Sequence, residues 1–400
     1  MDIFDQPCYK TTKNCTTLIG RWPYQSRKQS LIIITLLWIA LVLQAIPQII
    51  AIVLYADDRD IIIEALSTFI LDIVITTKYL NATYHAELVR SFFLFDKMEV
   101  DWRLLKDEKE KKILQHHSNV GKLLATAYTA FLLTSATIFV MEPILPRIYS
   151  LFSKSNESIP YEFALPLEYI IFEKEDHYWL ILTITNLFAI IIVFGIVSCD
   201  LIFITLLQHI CGLFAVLGYR IEHAPIDDIE INNGKEEAIS YQKSDQNTSY
   251  QYLVSCIEMH TRALEFSEHL ENCFALSFGV VVGLNLPLMS VSGFNIITQS
   301  HSVEQIVKGI TFMGSQILHL FFDCYMSQKL NDSSSQISQS IANIKWYKHS
   351  IQSQKLLVLM TVRSQVPCKL TAGKIMELSI ENFAMLKTAG SYFTMLLSMQ

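Results

Sequence analysis

The feature that most constrains this chain is a run of 24 residues, 31–54, without a single charged side chain. A helix needs about 20 predominantly apolar residues to cross the hydrocarbon core of a bilayer. The run is too long for the apolar part of a signal peptide, and no small-residue cleavage site follows it. Only 17% of all residues are charged, against about 25% in soluble domains. The sequence therefore predicts an integral membrane protein that retains this run as its first span.

Six further segments are predicted to cross the membrane. Three are clear apolar windows like the first, although 178–207 is uncharged only as far as Cys199, and three weaker ones carry ionisable residues. Because the bilayer core holds no water, backbone groups must pair within each segment, so each span is predicted to be an α-helix. In chain order the predicted spans are residues 31–54, 61–80, 123–141, 178–207, 273–299, 305–325 and 375–399.

Basic residues are distributed unevenly between the two sides of these spans. Of the 31 Lys and Arg residues, 23 lie in segments on the side of the N-terminus and 4 on the other side. Cytoplasmic loops carry the excess of positive charge. The N-terminus is therefore predicted to be cytoplasmic and, after seven spans, the C-terminus extracellular. Apolar stripes in the long segments between spans predict a cytoplasmic helical layer, so the predicted fold class is all-α.

Several kinds of chemistry have no support in the sequence. It contains no Gly-rich phosphate loop, no His-Glu-x-x-His and no Cys/His spacing that suits zinc, so we predict no enzyme activity, metal or cofactor. The net charge of −7 offers no argument for nucleic acid. None of the eight cysteines falls in a predicted outer loop, so no disulfide is predicted. Of the N-x-S/T sequons, only Asn156 lies on the outer side, which makes it the predicted glycosylation site.

Several motifs, in order along the chain, resemble those of the insect odorant receptors. The stretch 381–387 reads Glu-Asn-Phe-Ala-Met-Leu-Lys, and 390–397 reads Gly-Ser-Tyr-Phe-Thr-Met-Leu-Leu; together they resemble the closing signature of that family. Residues 208–214 read Gln-His-Ile-Cys-Gly-Leu-Phe and lead to Tyr-Arg at 219–220, which resembles the end of the fourth helix. The Asp-Trp pair at 101–102 is similar above all to hymenopteran members.

The resemblance implies an odour-tuning subunit of a ligand-gated, non-selective cation channel. In that family such a subunit assembles with the co-receptor Orco as a heterotetramer in the plasma membrane, and it is expected in the dendrites of olfactory sensory neurons. A volatile binds in the outer half of the helix bundle, and the last helix lines the pore. The expected divisions are a cytoplasmic N-terminus (1–30), six spans with the ligand pocket and cytoplasmic extensions (31–325), an anchor-like cytoplasmic region (326–373) and the pore-lining helix (374–400).

The last span contains the expected gate. Met395 and Met399 lie four residues apart on one helix face, with Ser391 and Thr388 a turn or two below. By resemblance these are pore-facing positions, where a ring of thioethers can dewet a narrow pore and so block ions. Spacing alone also fits methionines that only fill gaps between helices.

Charged residues within the spans have two interpretations. Lys387 either faces the pore or pairs with Glu381 or reaches a water-filled vestibule. Asp72 and Lys78 in the second span and Asp200 in the fourth are predicted to form pairs between helices rather than a proton relay.

The predicted orientation indicates which half of each span faces outward. A pocket for a volatile is expected to be apolar with few polar groups, although each residue selected in this way also fits an ordinary packing role. The predicted pocket residues are Phe69, Ile70, Thr134, Ile138, Met141, Tyr178, Trp179, Leu182, Thr183, Leu288, Ser292, Asn295, Ile310 and Met313.

Two other receptor classes remain as alternatives. A gustatory receptor channel of the same superfamily is the nearer one, and the signature of the last helix argues against it. A G-protein-coupled receptor would need the opposite orientation, and the chain has neither an Asp-Arg-Tyr-like turn after its third span nor Asn-Pro-x-x-Tyr in its last. A transporter would show internal repeats, and none is apparent.

Overall fold

The computed structural model describes residues 3–84, 94–153, 163–169, 176–226, 237–298 and 303–398. Regular structure in these ranges is helical except for one short hairpin. The α-helices are α1 (Lys10–Leu18), α2 (Arg27–Leu54), α3 (Arg59–Tyr84), α4 (Leu94–Leu104), α5 (Glu108–Met141), α6 (Leu145–Ser153), α7 (Tyr178–Glu222), α8 (Glu237–Thr298), α9 (Val303–Asn343), α10 (Ile351–Ser364) and α11 (Ile380–Ser398). Short 3-10 turns occupy Ile3–Asp5, Glu142–Ile144 and Trp346–Lys348, and the hairpin strands are β1 (Thr371–Ala372) and β2 (Met376–Glu377).

Each of the seven predicted spans is occupied by a helix: α2, α3, α5, α7, α8, α9 and α11. Within the described ranges, four segments are long and apolar enough to cross a membrane by length and composition alone, namely Arg27–Leu54, Glu108–Tyr149, Tyr178–Glu222 and Thr248–Ile297. These four overlap the four spans that were clearest in the sequence. The predicted all-α membrane fold is confirmed.

Helix α2 shows how the bilayer shapes the outer surface of the fold. Its first turn is capped by the side chain of Ser26, which accepts a hydrogen bond from the backbone N–H of Gln29 at 3.4 Å. Beyond that turn, large apolar residues such as Leu31, Leu36 and Val53 are exposed. A contiguous apolar face of this size is stable against lipid rather than water.

Helix α7 is the centre of the bundle. It packs against α2, α3, α5, α8 and α9, and almost every side chain between Gly195 and Phe214 is buried. A helix that is hydrophobic on all sides has to be surrounded by other elements. The second half of α7 therefore forms the core of the helical layer on the predicted cytoplasmic side.

The Asp-Trp pair at the end of α4 joins three elements of this layer. Asp101 Oδ2 lies 3.2 Å from Nε2 of His209 on α7. The indole N–H of Trp102 donates to the hydroxyl of Tyr9 at 3.1 Å, and that hydroxyl lies 2.8 Å from Oγ of Ser118. Burial raises the pKa of Tyr9 to about 12, so this phenol remains a hydrogen-bond donor. The motif residues thus connect the N-terminal helix to α5 and α7.

Arg220 and Glu110 form a buried, bidentate ion pair in the same helical layer. Nε of Arg220 lies 2.7 Å from Glu110 Oε1, and its second guanidinium contact to Oε2 is 2.8 Å. Burial opposes ionisation of Glu110, but hydrogen bonds from Arg220 and from the backbone N–H of Lys106 outweigh it and lower the pKa of the carboxyl. The pair fixes the end of α7 to the start of α5.

A hairpin joins α10 to α11 and rests on α8. Thr371 pairs with Glu377 and Ala372 with Met376, around a turn in which Gly373 has φ 65° and Lys374 φ 60°. The backbone N–H of Gly373 donates to the carbonyl of Ala275 on α8 at 2.7 Å. The hairpin therefore attaches the root of the last helix to α8.

The structure bears on two of the expected divisions of the chain. The boundary between 325 and 326 falls inside α9, so the sixth span and the anchor-like region share one continuous helix. The last division was expected to begin at residue 374, whereas α11 begins at Ile380 after the hairpin.

Candidate ligand site and pore helix

An outer cavity of about 450 Å³ lies between α2, α3, α5, α8, α9 and the segment 163–169. It is near the ends of these helices that the charge distribution predicts to be extracellular. Its wall is formed by Ala51, Tyr55, Ile61, Glu64, Ser67, Thr68, Phe139, Glu142, Phe163, Leu165, Pro166, Leu167, Ser292, Asn295, Ile296, Gln305, Lys308, Gly309 and Phe312.

Charged side chains form one part of this wall. Nζ of Lys308 lies 3.0 Å from Glu64 Oε1 and 3.4 Å from Glu142 Oε2, and it stands 5.0 Å from the centre of the Phe139 ring. Two carboxylates and one ammonium leave this group with a net negative charge. Ionisable residues within a membrane span are typical of functional sites.

The segment 163–169 lies over the cavity and is anchored to α2. The backbone N–H of Glu168 donates to the carbonyl of Pro47 at 3.1 Å, and its Oε2 accepts a hydrogen bond from the hydroxyl of Tyr55 at 2.7 Å. Phe163 packs against Tyr178 at the start of α7, with ring centres 5.1 Å apart. The cavity therefore has a fixed outer cover.

A smaller inner chamber of about 110 Å³ lies deeper in the bundle. It shares Thr68, Phe139, Leu165 and Phe312 with the outer cavity, and the two phenyl rings, 5.6 Å apart, stand between the two spaces. The other chamber residues are Gln44, Leu71, Asp72, Val74, Ile75, Leu132, Ser135, Ala136, Val140, Ala189, Ile192, Val193, Ile196, Ser315, Gln316 and His319. Most of this wall is apolar, as a site for a small volatile requires.

A buried ion cluster, made of Lys78, Asp200, His319 and Asp323, adjoins the chamber through His319. Nζ of Lys78 lies 2.6 Å from Asp200 Oδ1, 3.8 Å from Asp323 Oδ2 and 2.5 Å from Nε2 of His319. Because an ammonium has no lone pair, Nε2 of His319 is the acceptor in its contact with Lys78. Tyr128 also donates to Asp200, at 2.6 Å. The lysine occupies the position between the carboxylates that a metal ion would need.

The pairing of Lys78 with Asp200 confirms one prediction about the charged residues of the spans. Asp72 is different, because its carboxylate makes no ion pair in the part of the chain that the structure describes, and it faces the inner chamber instead.

The last helix, α11, has one buried and one exposed face. Phe383, Leu386 and Gly390 pack inward; Phe383 meets the ring of Phe321 on α9 edge-to-face at 5.3 Å. The opposite face consists of exposed residues at helical spacing, namely Ala384, Thr388, Ser391 and Met395. An exposed stripe of small, hydroxyl-bearing and thioether side chains is suited to line a pore shared with other subunits.

Lys387 is exposed on α11, and no ion pair joins it to Glu381 within the described residues. At 3.6 residues per turn it lies about 80° around the helix from Met395. It therefore stands at the edge of the exposed stripe.

Two of the predicted pocket residues, Ser292 and Asn295, line the outer cavity. The others line neither of the two spaces described above: Phe69, Ile70, Thr134, Ile138, Met141, Tyr178, Trp179, Leu182, Thr183, Leu288, Ile310 and Met313. Most belong to the helices that form the walls but stand one position away from a wall residue.

The predicted residues and the wall residues lie on different faces of the same helices. Phe69 follows Thr68, Ile138 precedes Phe139 and Met313 follows Phe312, and in each pair only the second residue named lies in a wall. In water the polar face of a helix marks the outside, but in lipid apolar residues face both outward and inward. Apolar character alone therefore does not distinguish the two faces.

Tyr178 and Trp179 have a contact that the sequence did not suggest. The guanidinium of Arg147 on α6 lies 4.5 Å from the ring centre of Tyr178 and 5.7 Å from that of Trp179. These rings hold a cation at the outer end of α7. Two other predicted residues, Asn156 and Met399, lie outside the described residues.

Apart from Ser292 and Asn295, sequence reasoning missed the polar residues of the two walls. Glu64, Asp72 and Lys308 were visible as charges inside weak spans, which is itself a signal of function. Gln44 sits in the charge-free first span and gave no such signal.

Comparison with known proteins identifies the family. A model described as 7tm Odorant receptor matches residues 60–390, which is most of the chain. The chain belongs to the odorant receptor family. Proteins of this family are receptors rather than enzymes, as the sequence predicted.

Related receptors of Drosophila melanogaster are similar to it at low identity. Odorant receptor 63a is 24% identical over 78% of this chain and 72% of its own length, and odorant receptor 13a is 26% identical over 66% and 64%. With odorant receptor 67c the identity is 23%, and the match spans about half of that receptor, 46%. These fly proteins do not test the expected likeness to hymenopteran members.

The fold of this receptor is that of a solved insect olfactory receptor. OR5 from Machilis hrabei, determined in complex with eugenol, superposes with a TM-score of 0.78 over 98% of this chain and 97% of its own, at 12% identity. Without that ligand the TM-score is 0.75.

Proposed function

We propose that this receptor is the odour-binding subunit of a ligand-gated, non-selective cation channel. It assembles with the family's co-receptor, Orco, as a heterotetramer in the plasma membrane of olfactory dendrites. A volatile passes the outer cavity, binds in the inner chamber and opens a pore lined by α11, with Met395 and Met399 at the constriction and Ser391 and Thr388 below them. Cations then enter the cell.

One observation carries this proposal: a single helix, α9, contributes to both cavities and to the support of α11. Phe312 stands between the two cavities, Gln316 and His319 line the chamber, and Phe321 packs against Phe383. A ligand that displaces α9 therefore acts directly on the pore helix. Such a ligand opens the channel only if it binds the open arrangement more tightly than the closed one.

Helix α8 offers a second connection of the same kind. Its Ser292 and Asn295 line the outer cavity, while Met289 lies against Gly390 on α11. The hairpin also fixes α8 to the root of α11. The pore helix is thus held from both sides by elements that form the cavities.

Co-expression in oocytes tests the proposal. The receptor, with and without the co-receptor, is exposed to a panel of volatiles while inward cation current is recorded. We expect current only when both subunits are present. A G-protein response from this chain alone, or the absence of any odour-evoked current from correctly localised pairs, would overturn the proposal.

The coupling through α9 is tested separately with Phe383→Ala. We expect it to reduce the maximal current without a matching loss of surface protein. The control is Phe163→Ala, which removes a ring from the outer cover and leaves the contact between α9 and α11 intact. Equal effects of both variants on maximal current would contradict the coupling.

A further inference from the structure

The inner chamber contains two buried oxygen atoms that no group in the described residues satisfies. Oε1 of Gln44 and Oδ2 of Asp72 have no hydrogen-bond partner, although the side chains are 5% and 8% exposed. Both residues line the chamber, one from α2 and one from α3. A buried polar atom left unpaired is destabilising, so such atoms are rare unless a ligand or water satisfies them.

Both atoms are hydrogen-bond acceptors, which limits what can satisfy them. A carboxylate oxygen and an amide oxygen each need an O–H or N–H donor. Gln48 lies one turn beyond Gln44 and beside Asp72, and the nitrogen and oxygen of its side-chain amide also lack a partner at hydrogen-bond distance. A ligand in the chamber that carries an O–H or N–H group can supply a donor to these two oxygens.

Five other polar side chains line the chamber, namely Thr68, Ser135, Ser315, Gln316 and His319. The amide of Gln316 can both donate and accept, and the hydroxyl of Ser315 already donates to the carbonyl of Phe312 at 2.7 Å. The hydroxyl of Ser135 already donates to the carbonyl of Phe131 at 2.9 Å, and that of Thr68 to the carbonyl of Ala65 at 3.0 Å. His319 accepts from Lys78 through Nε2. The wall beyond these groups is mostly aliphatic or aromatic.

We propose that the inner chamber selects small apolar volatiles that carry one O–H or N–H group, which donates to Asp72 and Gln44. The proposal rests on the proposed function, since it assigns the ligand class of the same site. Alcohols, phenols and amines share this chemistry; ethers and hydrocarbons of equal size lack it. A site whose buried polar groups need a partner strongly rejects an analogue that cannot supply one.

Matched series of probes test the proposal on the receptor co-expressed with its co-receptor. The probes are primary alkanols, primary alkylamines, methyl ethers and alkanes from butyl to decyl, together with phenol, aniline, anisole and toluene. We expect the best alcohol or amine to act at a concentration at least about tenfold lower than the ether or hydrocarbon of equal heavy-atom count, which corresponds to about 1.4 kcal/mol.

Substitutions identify the acceptors. Asp72→Leu and Gln44→Leu should each reduce the preference for donors over ethers by about tenfold while the response to ethers persists. Asp72→Asn keeps an acceptor oxygen but removes the charge. It therefore distinguishes a charged donor, the ammonium of an amine, from a neutral donor, the hydroxyl of an alcohol. Loss of the amine response alone indicates an ammonium, and retention of the alcohol response indicates a neutral hydroxyl. Glu108→Gln removes an exposed carboxylate of α5 that lines neither cavity, so it should leave the preference unchanged.

Failure of this inference is distinct from failure of the proposed function. If the subunit pair conducts in response to ethers and alkanes as readily as to alcohols and amines, or answers only volatiles without a donor, the inference is wrong and the channel function stands. If the preference survives Asp72→Leu and Gln44→Leu in protein labelled at the cell surface, the two acceptors are not its origin. If no volatile evokes current, the proposed function itself fails.

Discussion

Gly279 of α8 and Gly373 of the hairpin lie in direct contact: a Cβ atom at Gly279 would stand 2.8 Å from both the Cα and the N of Gly373. Gly373 also needs its positive φ of 65°, a conformation that other residues rarely adopt. Two glycines that meet in this way let a hairpin approach a helix closely enough for the 2.7 Å hydrogen bond between Gly373 and Ala275. The attachment of α11 to α8 depends on this approach.

We therefore expect Gly279→Ala to destabilise the receptor, because the new methyl group must push the hairpin away. Gly283→Ala is the matched control, since it lies one turn along the same helix and a Cβ there would meet nothing within 4 Å. Alanine is favoured over glycine in a helix by about 1 kcal/mol, so the control should be neutral or stabilising. Melting temperatures of the detergent-solubilised protein measure both. A Gly279→Ala variant as stable as the control would contradict the close packing.

Loss of Lys78 should be far more damaging than loss of a surface lysine. Lys78→Met leaves Asp200 and Asp323 buried without their counter-ion, and breaking a buried pair in this way costs about 3–5 kcal/mol. The control Lys111→Met breaks an exposed pair with Glu108, worth about 0–1 kcal/mol. Adding Asp200→Asn to Lys78→Met removes one uncompensated charge and should restore part of the surface protein. Surface biotinylation measures each variant; equal yields for Lys78→Met and Lys111→Met would refute the expectation.

Acid should weaken the cytoplasmic layer through His260. Burial, with a contribution from the charge of Arg363, lowers the pKa of this histidine from 6.5 to about 4. The folded protein therefore favours the neutral ring, and the unfolded chain takes up a proton first as the pH falls. Its contribution to stability is complete above pH 6.5 and declines as the pH falls towards 4. Between pH 6.5 and 4, the melting temperature should depend less on pH in His260→Gln than in the unmodified receptor. An equal dependence in both proteins would show that His260 is not responsible.

The exposed stripe of α11 leads to a prediction about the gate. Met395→Ser should raise the ligand-independent current of the assembled channel, because a hydroxyl keeps a narrow pore wet. Met385→Ser is the control, since Met385 is similarly exposed, 61% against 58%, but lies about 80° around the helix. Recordings without odour compare the two. A leak that is unchanged in Met395→Ser, or equal in both variants, would remove Met395 from the gate.

Much of the fold could be predicted from the sequence because short, local sequence features determine it. A charge-free run such as 31–54 has to be helical in lipid, and the positions of Lys and Arg predict the orientation without knowledge of packing. The hairpin escaped notice because strands of two residues have no periodicity to detect. It could be found only from its contacts with α8.

The site was less predictable because its geometry depends on helix rotation. Selection by apolar character fails at neighbours such as Ile138 and Phe139, of which only the second lines a cavity. The same limit applies to Asp72 and Lys78, six residues apart on α3, of which one faces the chamber and the other the ion cluster. Only packing between helices distinguishes them.

The buried ion cluster draws its members from three helices that are far apart in the sequence: Lys78 from α3, Asp200 from α7, and His319 and Asp323 from α9. Replacement of any one charged residue of this cluster changes the balance between its positive and negative charges. Its history in related receptors should therefore be one of linked replacements, in which a lineage that has lost the lysine has also lost a carboxylate. These positions should therefore vary together among related receptors, independently of the odour that each receptor detects.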